Sequence, residues 1–83
     1  MSRQRSMEKI LASEYVSIDE LVRITGCRYS TLKFYTEEGM LPFEQAEENL
    51  TRRFPREAAV ARIEQIRSLR QDGLSIPAIK KLL

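Results

Sequence analysis

The side chains in this sequence that could do chemistry with a partner are mainly cations. Arg52 and Arg53 are adjacent in a segment that alternates roughly as a short strand would, and Lys33 follows Arg28 in a segment with helical periodicity. Guanidinium and ammonium groups bind phosphate oxygens, and the guanidinium fork does so with two parallel hydrogen bonds. The residue types therefore indicate a surface that contacts phosphates.

The sequence has few of the residue types that enzymes use for catalysis. The chain has no histidine and one cysteine, Cys27. Without histidine there is no imidazole base, no Cys–His nucleophile and no ordinary zinc site. The acidic residues lie mostly at solvent-facing helix positions or in one cluster within residues 37–48. We therefore predict no catalytic residue, cofactor or metal, a packing role for Cys27, and a reducing, cytoplasmic location.

Length and charge layout narrow the class further. The 83 residues suffice for one small domain, and the net charge of +2 includes +5 over residues 49–83 and −5 over residues 37–48. A basic half is typical of nucleic-acid binders, although a charged helix face is often only solvated. No apolar run approaches the roughly 18 residues that cross a bilayer. We therefore expect no membrane partner.

The elements that must position the cations are predominantly helical. Ser17 with Glu20 three residues later predicts a capping box at the start of a two-turn helix, and Gly26 predicts its end in the left-handed conformation. A second helix is predicted over residues 29–38, after a three-residue turn. Two short helices joined by such a glycine-containing turn form a helix-turn-helix.

Short strands and two more helices are predicted after this motif. Residues 40–55 contain the signals of a short strand pair around a turn, and helices are expected at about 56–71 and after Ser75. An apolar stripe also predicts an extra helix at the N-terminus. Its members are Met7, Ile10, Leu11 and Tyr15. The predicted organisation is an N-terminal helical extension, 1–16, and a domain over 17–83.

The order of these features resembles the MerR family of transcriptional regulators over about residues 17–83. The segment 31–36, TLKFYT, with GMLP at 39–42, matches the family's Thr-Leu-Arg-Tyr-Tyr-Glu run followed by Gly-Leu-Leu-Pro. The segment 49–54, NLTRRF, matches the family's wing, which commonly has the sequence Asn-Gly-Tyr-Arg-Arg-Tyr. A Gly-Leu-Ser corner at 73–75 matches the family's Gly-Phe-Ser corner. The fold expected is mostly α: a winged helix-turn-helix with a short two-stranded wing, a following helix pair and the extra N-terminal helix.

The resemblance implies sequence-specific binding of double-stranded DNA in transcriptional regulation. It implies that the recognition helix 29–38 enters the major groove and that the wing 49–54 lies on the backbone. The candidate DNA-binding residues are Arg28, Tyr29, Ser30, Thr31, Lys33, Phe34, Tyr35, Arg52 and Arg53. Phe34 projects to the solvent side of its helix, so it either packs under residues 40–55 or lies against a DNA sugar or thymine methyl.

Several positions depart from the family pattern. Ser30 stands where members often have arginine, and Lys33 keeps the charge but not the bidentate fork. Phe34 lacks the hydroxyl of the usual tyrosine, and Thr36 replaces an acid. Leu50 replaces the glycine of the wing tip, where a tight turn favours positive φ. The departures weaken base contacts by the helix more than phosphate contacts by the wing.

Partners and alternative functions complete the prediction. Family members usually continue into a dimerising coiled coil and an effector domain. The sequence contains no such module, so we expect no small-molecule effector. The chain is either a minimal regulator, which would self-associate through the N-terminal helix or the apolar C-terminal end, or the DNA-binding fragment of a longer protein. The resemblance also implies a location in the bacterial nucleoid. Two alternatives stay open. One is an excisionase-like architectural DNA-binding protein of a mobile element, and the other is a protein-interaction module.

Overall fold

The computed structural model describes residues 5–45 and 51–83, which form five helices and one short sheet. The elements in chain order are α1 (Met7–Ala12), β1 (Tyr15–Val16), α2 (Ile18–Thr25), α3 (Tyr29–Glu37), β2 (Phe54–Pro55), α4 (Arg56–Gln71) and α5 (Ile76–Leu82). This arrangement confirms the predicted class, a mostly helical winged helix-turn-helix with a following helix pair. Residues 49 and 50 of the predicted wing lie outside the described residues.

The helix-turn-helix consists of α2 and α3, and local capping fixes both ends of α2. The Oγ of Ser17 accepts a hydrogen bond from the backbone N–H of Glu20 at 3.2 Å, and Oε1 of Glu20 accepts one from the N–H of Ser17 at 2.9 Å. Gly26 ends the helix at φ +73°, a left-handed conformation in which a Cβ would be strained. The predicted capping box and glycine stop are therefore both confirmed.

One apolar core holds the elements together. Its buried hydrophobic residues are Ile10, Val16, Leu21, Leu32, Tyr35, Met40, Leu41, Phe54, Ala59, Ile63, Ile66 and Ile79. Ile10 comes from α1 and Val16 from β1, and both are almost completely buried. The described part of the N-terminal extension therefore packs in the same core as the domain that follows it.

The sheet joins the N-terminal extension to the end of the wing. β1 and β2 are antiparallel, with Val16 opposite Phe54. The prediction that Tyr15 belongs to the N-terminal helix is wrong, because α1 ends at Ala12 and the chain is extended from Ser13 onward. The Ser13 carbonyl accepts a hydrogen bond from Nε of Arg56 at 2.8 Å. This contact holds the extended segment beside β2 and α4.

The strand pairing predicted within residues 40–55 is short in the part of the chain that the structure describes. Glu44 and Arg53 form an isolated antiparallel bridge, with N–H···O distances of 2.7 and 2.9 Å. The bridge therefore pairs Glu44 with Arg53 of the wing. β2 makes its longer pairing with β1, so its main partner strand lies near the N-terminus and not within residues 40–55.

Two arginines of α4 attach the chain on both sides of α3. Nη1 of Arg62 donates to the carbonyl of Met40, which follows α3, at 2.9 Å. Nη2 of Arg67 donates to the carbonyl of Thr25, which precedes the turn into α3, also at 2.9 Å. Hydrogen bonds from a charged donor are stronger than neutral ones. These two hydrogen bonds therefore attach the chain to α4 both before and after α3.

The final helix follows the predicted corner. The Oγ of Ser75 accepts a hydrogen bond from the N–H of Ala78 at 3.3 Å, and Pro77 lies in the first turn, where its missing N–H is not needed.

None of the helices in residues 5–45 and 51–83 is long and apolar enough to cross a membrane.

Candidate nucleic-acid interface

The solvent face of α3 carries four of the nine predicted contact residues. Tyr29, Ser30, Lys33 and Phe34 are all exposed, Phe34 by 44%. They share one side of the helix because residues three and four apart are neighbours on its surface. Tyr35 faces the other way and is 7% exposed. The structure thus brings the first four residues to one surface and puts Tyr35 in the core.

The first turn of α3 is open to an anion. Its N-cap residue, Arg28, is exposed and makes no side-chain capping hydrogen bond, and the first turn contains no acidic residue. By contrast, α1, α2 and α5 each begin with a serine side chain that accepts from the helix. Uncapped N–H groups at a helix start attract phosphates. Arg28 and the half-buried Thr31 lie beside these groups.

Arg52 is held against an aromatic ring. Its Cζ lies 4.9 Å from the ring centroid of Phe43, and that ring lies 6.1 Å from the ring of Phe54 in the core. The Nε of Arg52 is buried and makes no hydrogen bond within the described residues. An unpaired buried donor costs free energy, and a partner would meet this guanidinium at its terminal nitrogens and not at the buried Nε.

Arg52 and α3 line a common cavity of about 300 Å³, which we call the helix–wing depression. Its lining residues are Ile18, Tyr29, Lys33, Gln45, Thr51, Arg52 and Phe54. Lys33 and Arg52 supply two positive charges, and Tyr29 and Thr51 supply hydroxyl donors. These are the groups that proteins use to bind phosphate oxygens. The depression can therefore hold one phosphate of a nucleic-acid backbone.

Arg53 lies in different surroundings from its neighbour. Its Cζ is 4.8 Å from the ring centroid of Tyr15 in β1, as expected if successive side chains of an extended segment point to opposite faces. A hydrogen bond to the carboxylate of Glu44 raises the pKa of the Tyr15 hydroxyl. Arg53 therefore lies near an acid, whereas Arg52 lies on an apolar ring. The two predicted wing contacts are not equivalent.

Phe34 lines a groove with α5 on the other side of α3. The groove has a volume of about 540 Å³ and is lined by Phe34, Glu38, Ile76, Pro77, Lys80 and Lys81. Nζ of Lys80 lies 3.0 Å from Oε1 of Glu38 and ties the two helices together. The predicted packing of Phe34 under residues 40–55 falls partly on residues 46–50, which lie outside the described residues, and stays a prediction.

Two departures from the family pattern have a structural explanation. Thr36 is buried, and its hydroxyl donates to the carbonyl of Leu32 at 2.8 Å, so a carboxylate at this position would face the core. Lys33 keeps an exposed charge, and its Nζ is 4.0 Å from Oε1 of Glu37 on the same helix. An exposed pair at this distance is weak. Lys33 can therefore exchange Glu37 for a phosphate.

Three residues near the interface have roles that the sequence patterns do not indicate. The ring of Phe43 stacks on Arg52, and the ring of Tyr15 stacks on Arg53. Arg70 of α4 lines a cavity of about 400 Å³ beside Ser30 and Phe34. Phe43 is an exposed aromatic residue next to a proline, which is an available signal of a surface role. The contact of Tyr15 has no signal in the sequence, because it depends on the pairing of β1 with β2.

Comparison with known proteins agrees with the resemblance. The model of the family described as "MerR HTH family regulatory protein" matches residues 16–83. No curated protein and no solved structure matches the chain with significant similarity.

Proposed function

The chain belongs to the MerR family of helix-turn-helix regulatory proteins, and from this premise we propose how its surface contacts DNA. The family consists of DNA-binding regulators of transcription, and regulation through double-stranded DNA is the general function of this chain. We place the exposed side of α3 in the major groove and the wing on the adjacent backbone, in a sequence-specific complex.

The observation that carries this proposal is the position of Lys33 and Arg52 on one depression. Lys33 belongs to α3 and Arg52 to the wing, yet both line the same cavity. A helix that enters the major groove lies between two phosphate strands, so a cation at its edge and a cation on the wing meet the same strand. The uncapped start of α3, beside Arg28, supplies a further phosphate contact.

Base contacts fall to the residues in the middle of the exposed side of α3. A serine hydroxyl can pair with more than one kind of base, so we expect Ser30 to hydrogen-bond a base edge. The ring of Phe34 contacts a thymine methyl or a sugar. Tyr29 stands at the side of the helix nearest the wing. Tyr35 is buried, so we give it a supporting role under this surface instead of a direct contact.

The salt dependence of duplex binding tests the proposal. A duplex selected from a random pool by the parent protein is titrated by fluorescence anisotropy at several salt concentrations. Neutralising each phosphate releases counterions, so the steepness of log K against log salt should fall by about 0.9 for each phosphate that a variant no longer neutralises. We expect Lys33→Ala and the double variant Arg52→Ala/Arg53→Ala to have lower affinity and smaller slopes.

A matched control removes a cation elsewhere. Lys9 is an exposed residue of α1, and Lys9→Ala should leave affinity and slope within the range expected for a general loss of one charge. Salt-independent binding of the parent, or a double wing variant that binds as tightly as the parent, would contradict the proposed interface. The protected sequence also reports whether the sites are direct repeats or inverted half-sites.

A further inference from the structure

We propose that Phe43 is a positioning residue that holds the guanidinium of Arg52 for a single backbone phosphate in the helix–wing depression. This inference rests on the proposed function and adds a residue and a specific contact to it. Phe43 does not line the depression and is not expected to touch DNA itself. Its role is to fix the direction of the arginine that does.

The geometry of the stack supports this role. The Cζ of Arg52 lies 4.9 Å from the Phe43 ring centroid, within the range of a cation–π contact. Such a contact uses the face of the planar guanidinium and leaves hydrogen bonding to its edge. An arginine side chain otherwise loses much of its rotamer freedom when it binds. A guanidinium that is already stacked loses less when a phosphate arrives.

The ring itself is fixed by the core. Phe43 lies 6.1 Å from Phe54, and Phe54 is 1% exposed and belongs to β2. The Phe43 ring therefore fixes the guanidinium of Arg52 relative to the sheet. A flexible wing cation would contact phosphates over a range of positions, whereas this one is held beside α3.

The guanidinium of Arg52 and the ammonium of Lys33 offer their charge to the same place. Both residues line the depression, whereas the Nε of Arg52 is buried and makes no hydrogen bond in the described residues. A phosphate in the depression would therefore accept hydrogen bonds from the terminal nitrogens of Arg52 and from Nζ of Lys33.

Arg53 is the internal comparison. It stacks on Tyr15, and its partner in the antiparallel bridge is Glu44, whose nearby carboxylate raises the pKa of the Tyr15 hydroxyl. A carboxylate near that stack repels a phosphate and competes for the guanidinium. The two adjacent arginines therefore have similar stacks but different electrostatic surroundings. We infer that Arg52, and not Arg53, makes the positioned contact.

The experiment maps phosphates one at a time. The selected duplex is synthesised with a neutral methylphosphonate at each position in turn, and binding is measured for the parent, Phe43→Leu, Phe43→Tyr and Arg52→Lys. In the parent, neutralising the phosphate of the depression should weaken binding. In Phe43→Leu, the same neutralisation should weaken binding less than in the parent, because Arg52 is no longer held at that phosphate while Lys33 still meets it, and other sensitive positions should keep their effects. We expect the unmodified duplex to bind Phe43→Leu about 2- to 5-fold more weakly.

The other variants separate positioning from folding. Phe43→Tyr retains the ring and should keep the parent's map. Arg52→Lys leaves Phe43 in place but loses the planar group, so it should lose sensitivity at the same position as Phe43→Leu. A merely structural role for Phe43 would weaken all positions equally. If Phe43→Leu unfolds, the comparison of parent with Arg52→Lys still decides which phosphate the guanidinium contacts.

Two failures are distinguishable. A parent protein that shows no salt-dependent duplex binding overturns the proposed function, and this inference with it. A parent that binds, with Phe43→Leu folded and its map unchanged, overturns the positioning role alone. An unchanged map for Arg52→Lys likewise overturns the contact between Arg52 and the phosphate of the depression.

Discussion

Arg67 in α4 donates a hydrogen bond from Nη2 to the Sγ of Cys27, 2.9 Å away, in the turn that precedes α3. The same nitrogen donates to the carbonyl of Thr25. The contact with Cys27 also raises the pKa of Arg67, so the side chain stays charged. One side chain thus holds the turn of the helix-turn-helix against α4, and the half-buried Cys27 has the packing role predicted for it.

We expect Arg67→Ala to lower the free energy of unfolding by about 1 kcal/mol, because it leaves the Thr25 carbonyl and the Cys27 thiol without this donor. Urea denaturation followed by circular dichroism measures the change. Arg70→Ala is the control, since Arg70 is an exposed residue of the same helix. Equal stabilities of the two variants would show that the hydrogen bonds of Arg67 contribute nothing measurable.

The ion pair between Arg5 and Glu20 gives a prediction for acid. Nε of Arg5 lies 2.6 Å from Oε2 of Glu20, and this hydrogen bond lowers the pKa of Glu20 from its ordinary value of 4.5 to about 2. A carboxyl whose pKa is lower in the folded state contributes stability above pH 4.5, and this contribution is lost as the pH falls toward 2. Part of the acid-induced loss of stability should lie in that window.

NMR titration of the Glu20 carboxyl carbon checks this prediction. Arg5→Ala should raise the pKa of Glu20 toward 4.5, because it removes the hydrogen bond that lowers this pKa most, while burial and the Ser17 hydrogen bonds remain and act in opposite directions. Lys9→Ala, which removes a different cation of the N-terminal segment, should leave the titration close to the parent's. A Glu20 carboxyl that titrates near 4.5 in the parent would contradict the ion pair.

The packing of α1 predicts that the N-terminal extension is needed for stability. Ile10 is completely buried, whereas Leu11 is 48% exposed. We expect Ile10→Ala to cost about 2–5 kcal/mol and Ile10→Val about 0.5–1.5 kcal/mol, since both leave a cavity in the core. Leu11→Ala should cost much less. Thermal and urea denaturation would reveal an independent extension if Ile10→Ala and Leu11→Ala had the same small effect.

The unequal surroundings of the wing arginines predict unequal effects on DNA binding. Arg52→Ala should reduce duplex affinity and the salt slope more than Arg53→Ala, because Arg52 lines the helix–wing depression and Arg53 lies near Glu44. Glu44→Gln removes the nearby negative charge and should tighten binding. Anisotropy titrations at two salt concentrations measure both effects. A larger decrease for Arg53→Ala would reverse the assignment.

Self-association through the N-terminal helix or the C-terminal end stays a prediction. Leu11 in α1 and Leu82 in α5 are exposed by 48% and 60%. If either surface pairs two copies, sedimentation should show a mass that rises with concentration, and Leu11→Glu or Leu82→Glu should abolish the rise. A monomer at all concentrations, with and without the selected duplex, would exclude both surfaces.

The helices are well predicted from the sequence because their signals are local. The capping box at Ser17, the stop at Gly26 and the cap at Ser75 each depend on residues within one turn, and the structure has all three. The helix-turn-helix follows from their spacing. Resemblance to the family extends this local information to the identity of the recognition helix.

The features that the sequence does not predict depend on contacts between distant segments. Tyr15 fits a helical stripe, but the carbonyl of Glu14 accepts a hydrogen bond from the N–H of Arg56 at the start of α4, and Tyr15 itself pairs with Pro55, so it is a strand residue. The division of Arg52 and Arg53 between two aromatic rings also requires the sheet to exist first. Tertiary pairing overrides local propensity in both cases.

The two arginine hydrogen bonds from α4, one before α3 and one after it, have a mechanical consequence. Arg67 holds Thr25, the last residue of α2, and Arg62 holds Met40, three residues after the end of α3, so the segments on both sides of α3 are attached to one helix. A displacement of α3 relative to α4 would stretch or break at least one of these hydrogen bonds. A force that moves α4 should therefore move the recognition helix with it.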